Sequence, residues 1–391
     1  MAHIRIFGDR IAIGCNEVLY IFSRQTLQTE RRLEIGEMIR DRGLDKNGPY
    51  STSAERQILG LAFSPSGNYI CCLTSAKVAL VFSVQENFYL HCQPIRLPKA
   101  PTAVVFDNKE ENIIVSDRAG NVNRFEVKRQ PVTYPEGKKW MDINGEEYNI
   151  PFHALLGHMS MVLDMCLSED NQFILTADRD EKLRVSRYPQ AYIIDHFCLG
   201  HESYVKSIQT FRKGAFTSGG DSVIRAWNLI TGKCIAHSER LSEDPVRHLR
   251  ILGDEDSIIR IAVAFEKSNV VKTLIFNGPE NIFVEDTIFK APENIFDLAY
   301  HPDGILFVLT TKNAYQVSSK GEFISFDGPY GENRLIRLLE EDLKISADPI
   351  EKLEKNVAFN NMEEYLQRKE ERKEKRKRKH EGEEEPKKLD V

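Results

Sequence analysis

Two stretches of this chain repeat one another at a spacing of about forty residues, and nothing else in the sequence limits the fold as much. Gly157-His158, Thr176 and Asp180-Glu181-Lys182-Leu183-Arg184-Val185-Ser186 match Gly200-His201, Thr217 and Asp221-Ser222-Val223-Ile224-Arg225-Ala226-Trp227. The histidines stand 43 residues apart and the aspartates 41. In both copies Thr precedes Asp by four residues, and Ser186 or Trp227 follows it by six. Imidazole, carboxylate, hydroxyl and indole N–H all need partners once buried, and one such set supplies them to itself. His201 is expected to donate to Asp221, with Thr217 and Trp227 completing the chain. His158, Thr176 and Asp180 are the expected counterparts one repeat earlier.

This period and this polar set resemble the WD repeat, whose units build the four-stranded blades of a β-propeller. Tight turns mark the remaining blades. They fall at Gly8-Asp9, Ser64 to Gly67, Asp107 to Glu110, Ser168 to Asn171, Phe211 to Gly214, Gly253 to Asp256 and His301 to Gly304. Short apolar runs follow them, among them Tyr69 to Leu73, Ile113 to Val115, Phe173 to Thr176 and Ile305 to Leu309. The two wide gaps between turns hold the polar stretches Gly36 to Glu55 and Lys128 to Pro151, which read as long loops. The expectation is an all-β, seven-bladed propeller over residues 1–345, with six and eight blades as the alternatives. A charged C-terminal tail, 346–391, follows as a partly helical or disordered segment.

A content of 41% hydrophobic residues excludes a wholly disordered chain. The longest apolar runs are far shorter than the ~18 residues of a membrane span, so no membrane association is expected. The N-terminus lacks the apolar stretch of a secretory signal, the seven Cys include no C-x-x-C pair, and no N-x-S/T site occurs. A reduced, intracellular protein is expected. Net charge is −6 overall, but residues 361–391 hold 11 Lys/Arg against 10 Asp/Glu, leaving −7 on the body. A body of that sign does not advertise nucleic-acid binding. The run Lys375-Arg376-Lys377-Arg378-Lys379 reads either as part of a solvated tail or as a nuclear import signal that also touches phosphates. The nucleus is therefore the expected location, with the cytoplasm as a second compartment.

No catalytic constellation is present: G-x-G-x-x-G, a Walker loop, H-E-x-x-H and G-x-S-x-G are all missing. No catalytic residue, metal site or cofactor is assigned to this chain. A propeller without chemistry is expected to serve as an interaction platform.

The run from Leu156 to Asp164, continued through Phe173 to Ser186, is unusual for a WD repeat. Asp178-Arg179-Asp180-Glu181-Lys182 fills the turn with charge, and Ser186 stands where Trp is usual. Together with Phe197-Cys198-Leu199-Gly200-His201, it closely resembles the non-catalytic WD-repeat subunit of the tRNA (guanine-N7-)-methyltransferase. That resemblance implies a heterodimer. A Rossmann-like catalytic subunit would hold S-adenosylmethionine and methylate N7 of a guanosine in the tRNA variable loop. This chain would bind and stabilise that subunit and meet tRNA through the complex. The resemblance also carries over Lys182 and Arg184 as partner-binding residues that face acidic groups on the methyltransferase.

Lys182 and Arg184 share one face of a strand, and two adjacent cations repel unless something acidic meets them. Arg225, at Arg184's place in the next repeat, makes a plain WD-repeat role an alternative for Arg184. Asp178 and Arg179 are further partner-binding candidates, or equally an internal salt-bridged turn. A generic scaffold or substrate receptor in a ubiquitin-ligase or chromatin complex is the competing function; the charged 178–184 segment argues against it.

Overall fold

Strands joined at the turns read from the sequence form seven antiparallel blades of four strands; of those turns Gly253 to Asp256 lies, beyond Gly253, outside the described residues. The computed structural model describes residues 2–41, 44, 56–127, 140–141, 147–148, 152–253, 258–318, 321–326 and 353. Blades one to seven occupy residues 2–34, 58–90, 101–157, 162–199, 205–237, 246–290 and 295–325. The second is extended by a short strand, Ile95–Arg96, that pairs beside its outermost strand. The chain divides into a unit over 1–351, which holds every described sheet, and a unit over 352–391, of which Leu353 alone is described. Lys375 to Lys379 therefore lie outside the described residues.

Several of the turns share one device. The fourth residue is left-handed in Ser64 to Gly67, Asp107 to Glu110, Ser168 to Asn171 and His301 to Gly304. Glycine takes that conformation freely at Gly67 and Gly304, whereas Glu110 and Asn171 adopt it with a side chain. The polar stretch after blade one is not all loop, because Ile35–Asp41 forms a short α-helix that buries Ile35 and Ile39. Within the stretch read as a loop from Lys128 to Pro151, Trp140–Met141 pairs with Glu147–Tyr148.

Middle strands such as Val18–Ser23, Val78–Ser83 and Phe173–Asp178 are buried on both faces, because each sheet is sandwiched between its neighbours. The core is accordingly a series of apolar layers between successive blades. One layer joins blade four to blade five through Leu175, Val185, Cys198, Val205 and Trp227. Another joins blade seven to blade one through Phe307, Leu309, Ile4, Ile13 and Phe22.

Each blade is built from one stretch of chain, with the Trp140–Met141 and Glu147–Tyr148 pair inserted before the last strand of blade three, so the ring closes without a strand being lent across the seam. Side chains close it instead. Asp297, wholly buried in blade seven, accepts from the Ile4 amide (3.3 Å) and the Arg5 guanidinium (2.7 Å) of blade one. Its other oxygen accepts from Arg250 of blade six at 2.8 Å. Burial alone would raise this carboxyl. Arg250, His248, Arg5 and His3 overrule burial and hold it well below the usual carboxylate range. The innermost strands surround a channel of ≈ 530 Å³, whose polar lining includes Arg5, Asp164, Lys206 and Arg250.

Candidate partner-docking site on blade four

Blade five carries the complete polar chain. The Trp227 indole N–H donates to Thr217 Oγ1 at 2.7 Å, and His201 Nε2 lies 2.7 Å from the same hydroxyl. His201 Nδ1 lies 2.8 Å from Asp221 Oδ2. All donors are used if the Thr217 hydroxyl donates to Nε2 while Nδ1–H donates to the carboxylate. Burial would raise the Asp221 carboxyl, but the hydrogen bond from His201 and the charge interaction with that ring bring it below its ordinary value.

Blade four departs from the expected copy at two points. His158 Nε2 meets Thr176 Oγ1 at 2.8 Å, as in blade five, but its Nδ1 meets Asp178 Oδ2 at 2.9 Å. The tetrad aspartate is thus Asp178 and not Asp180, whose side chain is about one-third exposed. The physical reason lies in Gly219. Asp178 ends the strand Phe173–Asp178 two residues after Thr176, so both side chains face His158. Gly219 ends the corresponding strand of blade five, where a Cβ would come within 1.9 Å of the Tyr204 carbonyl oxygen. With no side chain tolerated there, the carboxylate arrives from the turn, as Asp221. Matching the two repeats from Thr to Asp therefore selects the wrong acid, whereas the His-to-Asp separation of 20 residues is the same in both.

The second departure is Ser186. Trp227 is buried between blades four and five; its counterpart Ser186 is buried too, but it is small. The space goes to Arg184, only 7% exposed. Its Nε donates to Ser186 Oγ at 2.8 Å, one terminal nitrogen to Gly157 O at 3.0 Å and the other to Ala191 O at 3.0 Å. Gly157 closes the outermost strand of blade three, so Arg184 ties the two blades together. Burial lowers its pKa from the ordinary arginine value.

The four residues assigned to partner binding are therefore split. Arg184 and Asp178 face inward, and Asp178 is completely buried, so neither lies on a contact surface. Lys182 is open to solvent, at 27% side-chain exposure, with Nζ 3.3 Å from Asp178 and 3.8 Å from Asp180. Burial would raise the Asp178 carboxyl; the hydrogen bond from His158 and the Lys182 charge bring it below its ordinary value. Arg179 is partly exposed, its amide bonded to Met161 O at 3.0 Å. The internal salt-bridged turn thus describes Asp178 and Lys182, while Arg179 and Lys182 keep a face to solvent. Arg225, which follows Arg184 by one repeat, packs its guanidinium against Gly200.

The sequence reading passed over the apolar side chains around Lys182. Met159 is fully exposed in the loop between blades three and four, and Phe197 and Leu199 are 47% and 68% exposed on the outermost strand of blade four. Among the described residues no cluster of three or more His, Cys, Asp or Glu could hold a metal ion. No helix among them is long and apolar enough to cross a membrane.

Seven four-stranded blades, two of them carrying a His–Thr–Asp network, define a WD-repeat propeller. Solved structures agree on the fold: RRP9 WD40 repeats align with a TM-score of 0.58 at 15% identity, over 77% of this chain and 83% of that one. A chain of the mitotic checkpoint complex aligns at 0.60 and 14% identity, over 78% and 86%. The family model described as tRNA methyltransferase TRM82 WD40 domain matches residues 123–308. The tRNA (guanine-N(7)-)-methyltransferase non-catalytic subunit of Caenorhabditis elegans is 32% identical over 94% of this chain and 92% of its own length. The non-catalytic subunit WDR4 of Homo sapiens is 30% identical over 59% of this chain and 49% of its own. This chain belongs to the family of non-catalytic subunits of tRNA (guanine-N(7)-)-methyltransferase.

Proposed function

We propose that this chain binds the catalytic subunit of a tRNA (guanine-N7)-methyltransferase as one half of a heterodimer. It holds that subunit in its active arrangement and helps to place tRNA, so that N7-methylguanosine forms in the variable loop. The Rossmann-like fold, the catalytic carboxylates and S-adenosylmethionine belong to the partner. The propeller contributes a rigid docking face, which is how a chain without a catalytic constellation can govern a reaction rate.

The observation that carries this reading is the position of Lys182. Arg184 is withdrawn, so of the two cations carried over by the resemblance Lys182 is the one that an approaching carboxylate can reach. Asp178 stays engaged with His158, whereas Asp180, farther from Nζ and partly in water, is the ligand an incoming acid displaces. A desolvated charge pair of this kind typically costs ~2–5 kcal/mol when one partner is lost.

The test is methyl transfer from S-adenosylmethionine to tRNA by each subunit alone and by the pair. This chain alone should transfer none, and adding it should raise the activity of the catalytic subunit. Lys182→Glu should lower activity at dilute protein and recover part of it at high concentration, as expected for lost association. Lys213→Glu, in an exposed turn of blade five, is the control. Undiminished affinity in Lys182→Glu would remove Lys182 from the interface; catalytic activity indifferent to this chain would end the reading.

Nuclear import through Lys375, Arg376, Lys377, Arg378 and Lys379 completes the proposal. Replacing all five by alanine should move a fluorescently tagged chain toward the cytoplasm. Unaltered nuclear accumulation in cells that lack the catalytic subunit would sink it.

A further inference from the structure

The outermost strand of blade four, Ile194–Leu199, is built unlike an ordinary edge. In blade one the outermost strand Thr29–Glu34 presents Glu30, Arg31, Arg32 and Glu34, charges that discourage other chains from adding to a sheet. Blade four instead shows water Ile194, Phe197 and Leu199, which are 41%, 47% and 68% exposed. The register pairs them with Ser186, Arg184 and Lys182, so all three stand in file on one face. Cys198 points the other way, into the layer shared with blade five. Met159, fully exposed, stands in the loop that leads into this blade. It follows His158, whose ring shares the Asp178 carboxylate with Lys182.

Scattered exposed apolar residues are ordinary; a contiguous file of them is not. Blade six makes the comparison. Its outermost strand exposes Ile282, Val284 and Ile288 to a similar degree. There a bulge between Thr273 and Leu274 turns Ile288 to the face opposite Ile282 and Val284, and Glu285-Asp286 interrupts the run. At about 200 Å² for a fully exposed large side chain, the blade-four file with Met159 leaves roughly 500 Å² of surface in water. That is a large share of the ~800 Å² each partner contributes to a standard interface.

We propose that Ile194, Phe197, Leu199 and Met159 form the apolar centre of the surface on which the catalytic methyltransferase subunit docks, with Lys182 at its rim receiving an acidic side chain. This rests on the proposed function above and adds the residues that carry the affinity. The occupant is a folded protein surface and not RNA. The file has no cation of its own, and only two flank it, Lys182 at one end and Arg187, paired with Asp195 at 2.9 Å, at the other, enough for a single carboxylate and too few for a run of phosphates. A phosphate backbone would meet little free positive charge there. A protein ridge of aliphatic side chains with one carboxylate at its edge meets both features.

The test measures binding of the full-length chain to the purified catalytic subunit by calorimetry, with tRNA binding by the pair as a second readout. The wild-type chain must bind; if it does not, both this assignment and the proposed function fall. Phe197→Ser with Leu199→Ser should weaken Kd about thirtyfold or more, as for the central residues of an interface, with an unchanged melting temperature. Phe197→Leu with Leu199→Met should restore most of the affinity. Met159→Ser, at a fully exposed position, should weaken Kd severalfold, and it decides the matter alone if the double variant melts early. Ile282→Ser with Val284→Ser on blade six should bind as wild type. Wild-type binding retained by both blade-four variants overturns the assignment and leaves the proposed function standing. So does a loss confined to the blade-six variant, or a blade-four variant that binds the subunit normally and loses only tRNA.

Discussion

Arg184→Ala and Lys182→Ala alter neighbouring positions on one strand face, yet a melting experiment should separate them clearly. Arg184 donates to Ser186 Oγ, Gly157 O and Ala191 O. Hydrogen bonds from a charged donor contribute ~1.5–3 kcal/mol each, and removing the donor leaves two carbonyls and a hydroxyl short of partners in a buried site. The three bonds belong to one side chain and are not additive, so about 3–5 kcal/mol for the set is a sober figure. A propeller of this size unfolds with an entropy of roughly 0.7 kcal/mol/K, which converts that loss into a fall of about 4–7 °C in Tm. Lys182 stands partly in water, and its ion pairs contribute at most ~1 kcal/mol; its alanine variant should melt less than about 2 °C early. Circular dichroism melts of the full-length variants at neutral pH would measure both. Arg184→Met keeps the aliphatic stem without the donors and should recover little. An unchanged Tm in Arg184→Ala would refute the reasoning, because its guanidinium would then be free to face a partner.

Trp227→Phe removes the indole donor to Thr217 at nearly constant bulk and should cost ~1–3 kcal/mol; an unchanged Tm would mean that the network does without that N–H. Asp178→Asn should lower Tm by several degrees and Asp180→Asn by almost nothing, and the reverse ranking in thermal melts would restore Asp180 to the tetrad. Burial holds His3 neutral, lowering its pKa to about 3 against the charge of Asp297, and it holds His248 low in the same way. The unfolded chain therefore binds more protons below pH 6.5, so the stability these rings contribute is full above that pH and is lost as pH falls toward 3. Asp297, held below 3.8, loses its contribution lower still. His3→Gln should flatten the dependence of Tm on pH between 6.5 and 4, and a slope identical to wild type would show that His3 is not the titrating group.

The blade plan was legible because the buried His-Thr-Asp sets and the turns are local signals with a fixed period. The acid at 178 was missed because the Thr-to-Asp spacing differs between the two repeats, for the steric reason at Gly219, while the shared His-to-Asp spacing of 20 residues would have found it. Arg184 misled for a related reason. A cation in a charged segment reads as surface, and only the space left by Ser186 against blade three draws it inward. Phe197 and Leu199 failed in the opposite sense, because apolar residues in a strand read as core until the sheet order places that strand outermost. The short helix Ile35–Asp41 was hidden by the polar residues around it, its anchor being only Ile35 and Ile39.

A ring whose sheets are each made from successive strands imposes an order of events on synthesis. Every blade can complete its backbone pairing soon after it leaves the ribosome, without waiting for a distant stretch of chain to return. Only the seam must wait, since Asp297 and the Phe307 layer of blade seven are made after the other six blades and meet Ile4 and Arg5 of blade one. Until then blade one shows the apolar flank that faces blade seven to solvent, so the interval before ring closure is when the nascent chain is most prone to aggregate.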